Sequence, residues 1–101
     1  IEKRLIAAIN GDFAIAIYNP SSHKRTDYLK IACEIMLAAG ANKGRACGYV
    51  KNIGRNETEE FVCTLEELKN QKVNMFTTVF VGNSQSEIIR GKLVTKRGYH
   101  L

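Results

Sequence analysis

Four short stretches carry the polar residues from which a site could be assembled: Tyr18-Asn19-Pro20, Lys51-Asn52-Ile53-Gly54-Arg55, Glu60, and Met75-Phe76-Thr77-Thr78. Asn and Thr side chains offer both donors and acceptors, so such a set can read the edge of an adenine or a carboxylate. Lys51 and Arg55 add positive charge for an acidic ligand, Arg55 with the better bidentate geometry. Each stretch alone also has a plain structural reading: Asn19-Pro20 as a chain exit, Asn52-Ile53-Gly54 as a loop with glycine at positive φ, Phe76 as core.

Acid–base, nucleophilic and metal chemistry find little support. His23 stands beside Lys24 and Arg25 in a helix start and His100 lies in the tail, neither with an evident partner. No Ser-His-Asp, HExxH or phosphate-loop pattern occurs. Cys33, Cys47 and Cys63 are odd in number, widely spaced and without a CxxC pair, which reads as small core residues rather than a disulfide framework or zinc site. We therefore expect no catalytic side chain and no metal ligand. A site that positions a reactive cofactor is compatible with this set.

The elements that must position these residues follow from periodicity. Ile1, Leu5, Ala8 and Ile9 fall at helical spacing over residues 1–10, and Asn10-Gly11 is a helix stop. Phe13–Tyr18 is a continuous apolar run, predicting a central strand covered on both faces. Leu29, Ala32, Cys33, Met36 and Ala39 line one face of a helix over Ser22–Ala39, ended by Gly40. A strand at Ala46–Val50 then implies a right-handed crossover that makes the first two strands parallel neighbours, or nearly so. The short link to Glu60–Thr64 predicts an antiparallel third strand. Thr64 and Glu67 form a capping box for a short helix at 65–70, and Phe76–Val81 becomes a fourth strand parallel to the third. Gly82-Asn83 signals a turn, Ser84 and Glu87 suggest a second capping box on one helical turn, and Lys92–Thr95 an edge strand. The fold class is α/β, a mixed sheet of four to five strands with helices packed on it.

These strand directions bring the carboxyl ends of strands one and two and the starting ends of strands three and four to one rim, where ligands of open α/β sheets collect. Tyr18, Asn19, Lys51, Asn52, Arg55, Glu60, Phe76, Thr77 and Thr78 converge there. Gly82-Asn83-Ser84-Gln85 falls on the opposite edge, which points to turn chemistry or a subunit contact.

The chain has 101 residues, enough for one domain with a modest core. Its 45% apolar and 25% charged residues suit a soluble domain. No apolar run approaches a membrane span and no signal pattern opens the chain, so a cytoplasmic location is expected and no membrane partner. The net charge of +5 favours anionic partners. Aromatic residues are not interleaved with the basic ones in a stacking pattern, so no nucleic-acid partner is expected. The chain starts inside a helix without a cap or initiator methionine, which suggests a piece of something longer.

Five stretches, "DFAIAIYNPSSHKR", "GYVKNIGRNET", "TLEEL", "MFTTVFVGNSQS" and "VTKRGY", occur in the order and approximate spacing seen in the tetrapyrrole methylase family of cobalamin biosynthesis. The resemblance runs from about Arg4 to Tyr99 and is specific for the carboxyl-terminal half of the members that act on precorrin-3B. It implies a two-domain, usually homodimeric, S-adenosylmethionine-dependent enzyme that methylates C-17 of precorrin-3B, or of its cobalt form cobalt-precorrin-3, with ring contraction. This chain would be the carboxyl-terminal domain, residues 1–10 the end of the interdomain helix. The amino-terminal domain with the family's glycine-rich loop would be absent, leaving the fragment inactive alone. Matched by position, Tyr18, Asn19, Asn52, Phe76 and Thr77 would contact the cofactor. The resemblance gives the basic excess a use: Lys51, Arg55 and Arg97 would meet the carboxylates of the tetrapyrrole. "TKRGY" departs from the more usual T-P-R-G-Y at Lys96. The alternatives from other classes are a free-standing α/β ligand-binding module without catalysis and a basic nucleic-acid-binding domain.

Overall fold

The computed structural model describes residues 2–18, 27–51, 58–73 and 76–95. Amphipathic spacing gives the helices α1 (Glu2–Asn10), α2 (Tyr28–Ala38) and α3 (Leu65–Leu68). The strands are β1 (Ile15–Tyr18), β2 (Ala46–Lys51), β3 (Glu59–Thr64), β4 (Thr78–Val81), β5 (Ser86–Ile89) and β6 (Lys92–Thr95). The expected helix start at 22–26 lies outside the described residues.

β1–β4 form one sheet in the order β1-β4-β2-β3, with every adjacent pair antiparallel. The predicted directions hold: β1 and β2 run one way, β3 and β4 the other. Their neighbours differ from expectation. β4 inserts between β1 and β2, so the crossover through α2 skips one strand position.

β1 is accordingly not central; among the described residues it is an edge strand of this sheet. Phe13 stays outside it and is exposed. The run Ala14-Ile15-Ala16-Ile17 looks continuous by polarity but alternates in size. Ile15 and Ile17 pack against the core, while Ala16 and Tyr18 are exposed. The strand buried on both faces is β2, whose first four residues are all buried.

The helices cover one face of the sheet. Leu5 and Ile9 of α1, Leu29, Ala32, Cys33 and Met36 of α2, and Leu65 and Leu68 of α3 join Cys47, Tyr49, Cys63, Val79 and Val81 in one core. Gly40, at φ +105, ends α2 as expected. The Thr64 capping box is present: Thr64 Oγ1 accepts from the Glu67 amide at 3.2 Å and Glu67 Oε1 from the Thr64 amide at 2.9 Å.

The second capping box is not formed. Ser86–Ile89 is strand, and β5 pairs with β6 as a separate antiparallel ribbon, so Lys92–Thr95 is not an edge of the main sheet. Arg90 and Gly91 turn the ribbon with φ of 51 and 74, the double positive φ of a type I′ hairpin, whose twist suits paired strands. The Ser84 hydroxyl donates to Asp12 instead of capping a helix. The ribbon crosses the face of the sheet away from the helices, bringing Leu93 close to Gly48 of β2.

Candidate functional site

Register places four residues in one row across the end of the sheet. Tyr18 pairs with Thr78, Thr78 with Val50, and Val50 with Glu60. Each strand contributes one residue, and strand alternation puts all four on the ribbon side. Thr78 at the centre is buried, Tyr18 and Glu60 at the flanks are exposed. This is the rim expected from strand directions.

Of the residues singled out in the sequence, Tyr18, Lys51, Glu60, Phe76, Thr77 and Thr78 are described. Tyr18 is 71% exposed, so its ring is available at the rim rather than packed. Phe76 is likewise exposed, contrary to its reading as core, whereas Thr77 is buried immediately before β4. Asn19, Asn52, Arg55 and Arg97 lie outside the described residues, as do His23, Gly54 and His100.

Lys51 is at the same end but on the helix side of the sheet. Tyr49 and Phe61, cross-strand partners, stack there with centroids 4.9 Å apart. The Lys51 ammonium lies 5.8 Å from the Tyr49 centroid and 5.5 Å from that of Phe61. The Tyr49 hydroxyl donates to Gln71 Oε1 at 2.9 Å, and burial, more than the charge of Glu59, pushes its pKa up. The rim therefore offers two chemically different sides: a hydroxyl and a carboxylate over apolar strand residues on one, a cation held over aromatic rings on the other.

Sequence reading missed the recess behind the rim row. It has a volume of about 310 Å³ and lies between sheet and ribbon, lined by Gly48, Val50, Glu60, Phe80, Lys92 and Leu93 among others. Its signal in the sequence was the pair of short runs SEII and KLVT separated by the two residues Arg90-Gly91, a hairpin spacing. A second recess, on the other side of Leu93 and Phe80, is lined by Ala14, Ala16 and Thr95 and is more apolar.

The opposite edge is built as a latch between loops. The Ser84 amide donates to Asp12 Oδ1 at 2.8 Å and Arg45 Nη1 donates to the Gly82 carbonyl at 2.9 Å. Arg45 Nη2 is 3.8 Å from Asp12 Oδ1. This is the turn chemistry expected for Gly82–Gln85.

The three cysteines are buried and free, as expected of core residues. Burial is the main cause that pushes Cys33 and Cys47 up to about 12 and Cys63 to about 11, which leaves them protonated and poor nucleophiles. No group of His, Cys, Asp and Glu among the described residues is arranged to hold a metal ion. No helix among them is long and apolar enough to cross a membrane.

The antiparallel four-stranded sheet covered by helices on one face is a fold shared with a methyltransferase of known structure. The crystal structure of the methyltransferase CobJ superposes with a TM-score of 0.80 at 30% identity, over 94% of this chain and 39% of that one. In sequence, the chain is 40% identical over 105 residues to a probable cobalt-factor III C(17)-methyltransferase of Methanocaldococcus jannaschii, covering 98% of this chain and 42% of that protein. A protein of the same name from Salmonella typhimurium is 39% identical over 101 residues, covering 100% of this chain and 42% of the relative. No protein-family model matches the chain. The chain thus spans less than half the length of these relatives and is similar to one part of them.

Proposed function

We propose that this chain is the carboxyl-terminal domain of a methyltransferase of cobalamin biosynthesis that methylates C-17 of precorrin-3B, or of cobalt-precorrin-3, with ring contraction. Residues 1–10 would end the interdomain helix, an amino-terminal domain would complete the site, and the whole enzyme would be a cytoplasmic homodimer. The observation that carries the reading is the rim: four strands end in one row, Tyr18–Thr78–Val50–Glu60, in a chain about 40% identical to C(17)-methyltransferases. S-adenosylmethionine, the methyl donor in this reading, would supply the electrophilic carbon when bound.

The residues present fit such a donor. Gly48 keeps the floor of the recess low, since a Cβ there would meet the Phe61 carbonyl at 3.0 Å and Leu93 Cδ2 at 3.8 Å. The exposed Tyr18 ring offers a flat surface beside Thr78, its partner in register, and Thr77 immediately precedes Thr78. In this reading Tyr18, Asn19, Asn52, Phe76 and Thr77 hold the donor, and Lys51, Arg55 and Arg97 receive tetrapyrrole carboxylates. The chain's work is orientation: alignment of donor and acceptor carbon, with exclusion of water, contributes most where the protein lends no acid or base.

The test uses the full-length protein that carries this chain. Tyr18→Ala should weaken binding of S-adenosylhomocysteine, measured by calorimetry, with the tetrapyrrole affinity preserved. Lys51→Glu with Arg55→Glu should do the reverse. Equal loss of both ligands in both variants, or no loss in either, overturns the reading.

A further inference from the structure

A polar cavity at the end of the sheet away from the rim takes no part in the methyl-donor site. Its volume is about 420 Å³, and Asn42, Gly44, Arg45, Asn83, Ser84 and Ser86 are among its walls. The Arg45 side chain is only 10% exposed. Its Nη1 donates to the Gly82 carbonyl at 2.9 Å, while the 3.8 Å between Nη2 and Asp12 Oδ1 is too long for a hydrogen bond. A buried cation paired so sparsely is costly unless further acceptors reach it.

The neighbouring side chains supply none. Asn42 Oδ1 already accepts from the Gly44 amide at 2.7 Å, and Asn83 Oδ1 from the Gln85 amide at 2.9 Å. Ser84 donates to Asp12 through both amide and hydroxyl, and Ser86 Oγ is shared between the Asn83 amide at 2.9 Å and Thr95 Oγ1 at 2.7 Å. What stays open among the described residues is the carboxamide nitrogen of Asn42, that of Asn83 and the remainder of the Arg45 guanidinium. All of these are donors.

We propose that this cavity binds a small oxyanion, a phosphate or a carboxylate, with Arg45, Asn42 and Asn83 donating to its oxygens. A site whose open groups all donate selects a ligand whose oxygens all accept, and a guanidinium matches carboxylate and phosphate in particular. The cavity falls within the range of small-ligand sites, roughly 300–1,000 Å³, so the anion can carry a small organic group. Asp12 is its rival, because that carboxylate already approaches Arg45. The walls lie at the ends of β2 and β4 opposite the rim row, which makes the site independent of the methyl-donor reading.

The probes are inorganic phosphate and acetate, each titrated calorimetrically into the full-length protein at constant ionic strength. At least one should bind saturably, and the tighter of the two identifies the oxyanion class. Asn42→Asp and Asn83→Asp keep the oxygen that accepts from the backbone amide and replace the donor by a negative oxygen. Each should weaken binding ~10-fold or more, as loss of a hydrogen bond to a charged group does. Asp12→Asn removes the rival charge and should strengthen binding by about 2- to 5-fold, the range of an exposed ion pair. Lys51→Glu with Arg55→Glu, at the rim, should leave it unchanged. Melting temperatures establish that the variants are folded. No saturable binding of either anion, binding indifferent to both Asn→Asp changes, or binding abolished by the rim variant instead overturns the proposal.

Discussion

Tyr49 and Phe61 face each other across β2 and β3 with ring planes 22° apart, and the Lys51 ammonium lies within 6 Å of both centroids. The arrangement follows from register: Tyr49 pairs with Phe61, and Lys51 is two residues on from Tyr49, on the same side of the strand. A cation that would extend freely from the rim is thereby held against the sheet, with its charge kept at the open end.

This relationship predicts a measurable coupling. Lys51→Met should destabilise the protein by ~0.5–1 kcal/mol, the range of an exposed cation–π contact. The same substitution in a Phe61→Leu background should cost less, since one ring is gone. Urea denaturation of the two single variants and the double variant gives the coupling energy. A zero coupling would mean that the rings do not hold the ammonium.

The buried thiols predict alkaline sensitivity. Burial raises Cys33 and Cys47 to about 12 and Cys63 to about 11 from the ordinary 9.0. Above pH 9 the unfolded chain loses thiol protons that the folded chain keeps, so stability is full below about 9 and falls as pH rises toward 11–12. Replacing the three by Ala or Ser should flatten the thiol part of that decline in a pH series of unfolding measurements. Modification by a disulfide reagent at pH 8 should be slow in the native protein and fast in denaturant, tracking opening rather than collision.

Strand directions were legible in the sequence because connection length constrains them: a helix-containing crossover returns a strand in parallel, and a short polar link cannot. That alone brought Tyr18, Lys51, Glu60 and Thr78 to one edge. Strand order was not legible. Nothing in FVCT or TTVF marks which of them lies beside AIAIY; β4 inserts between β1 and β2 with Val79 and Val81 in the core. β5 was misread because Ser84 and Glu87 have the spacing of a capping box, while Ser84 is taken by Asp12, 72 residues earlier in sequence. The recess was hidden for the same reason, since half its wall is the ribbon.

Gly82 predicts a severe local effect. Its amide donates to the Ala46 carbonyl at 2.8 Å and its carbonyl accepts from Arg45, so the backbone there is pinned on both sides. A Cβ would come within 2.7 Å of the Ala46 carbonyl and would collide with the Ser86 side chain. Gly82→Ala should cost about 1–3 kcal/mol, the range of overpacking, and Ser86→Gly should not rescue it because the Ala46 backbone remains in the way. Full rescue would place the clash at the side chain alone.

Asp12 predicts an acid limit that originates at the edge away from the rim. Its carboxyl is held below the ordinary 3.8 first by the Ser84 hydroxyl and then by the Ser84 amide, against an opposing effect of burial that outweighs the smaller help of the Arg45 guanidinium. A depressed folded pKa contributes stability that is complete above about pH 3.8 and is lost as pH falls through the lower folded value. Asp12→Asn keeps an acceptor and tolerates the φ of 57, yet does not titrate, so it should remove this part of the acid dependence while leaving the fold intact. Asp12→Val should be the more damaging change at neutral pH, because a β-branched residue at that φ is strained and no acceptor remains for Ser84. Thermal unfolding from pH 3 to 7 separates the two: the Asn variant should lose slope, the Val variant height. An Asn variant with the slope of the original protein would assign the acid sensitivity to another carboxylate.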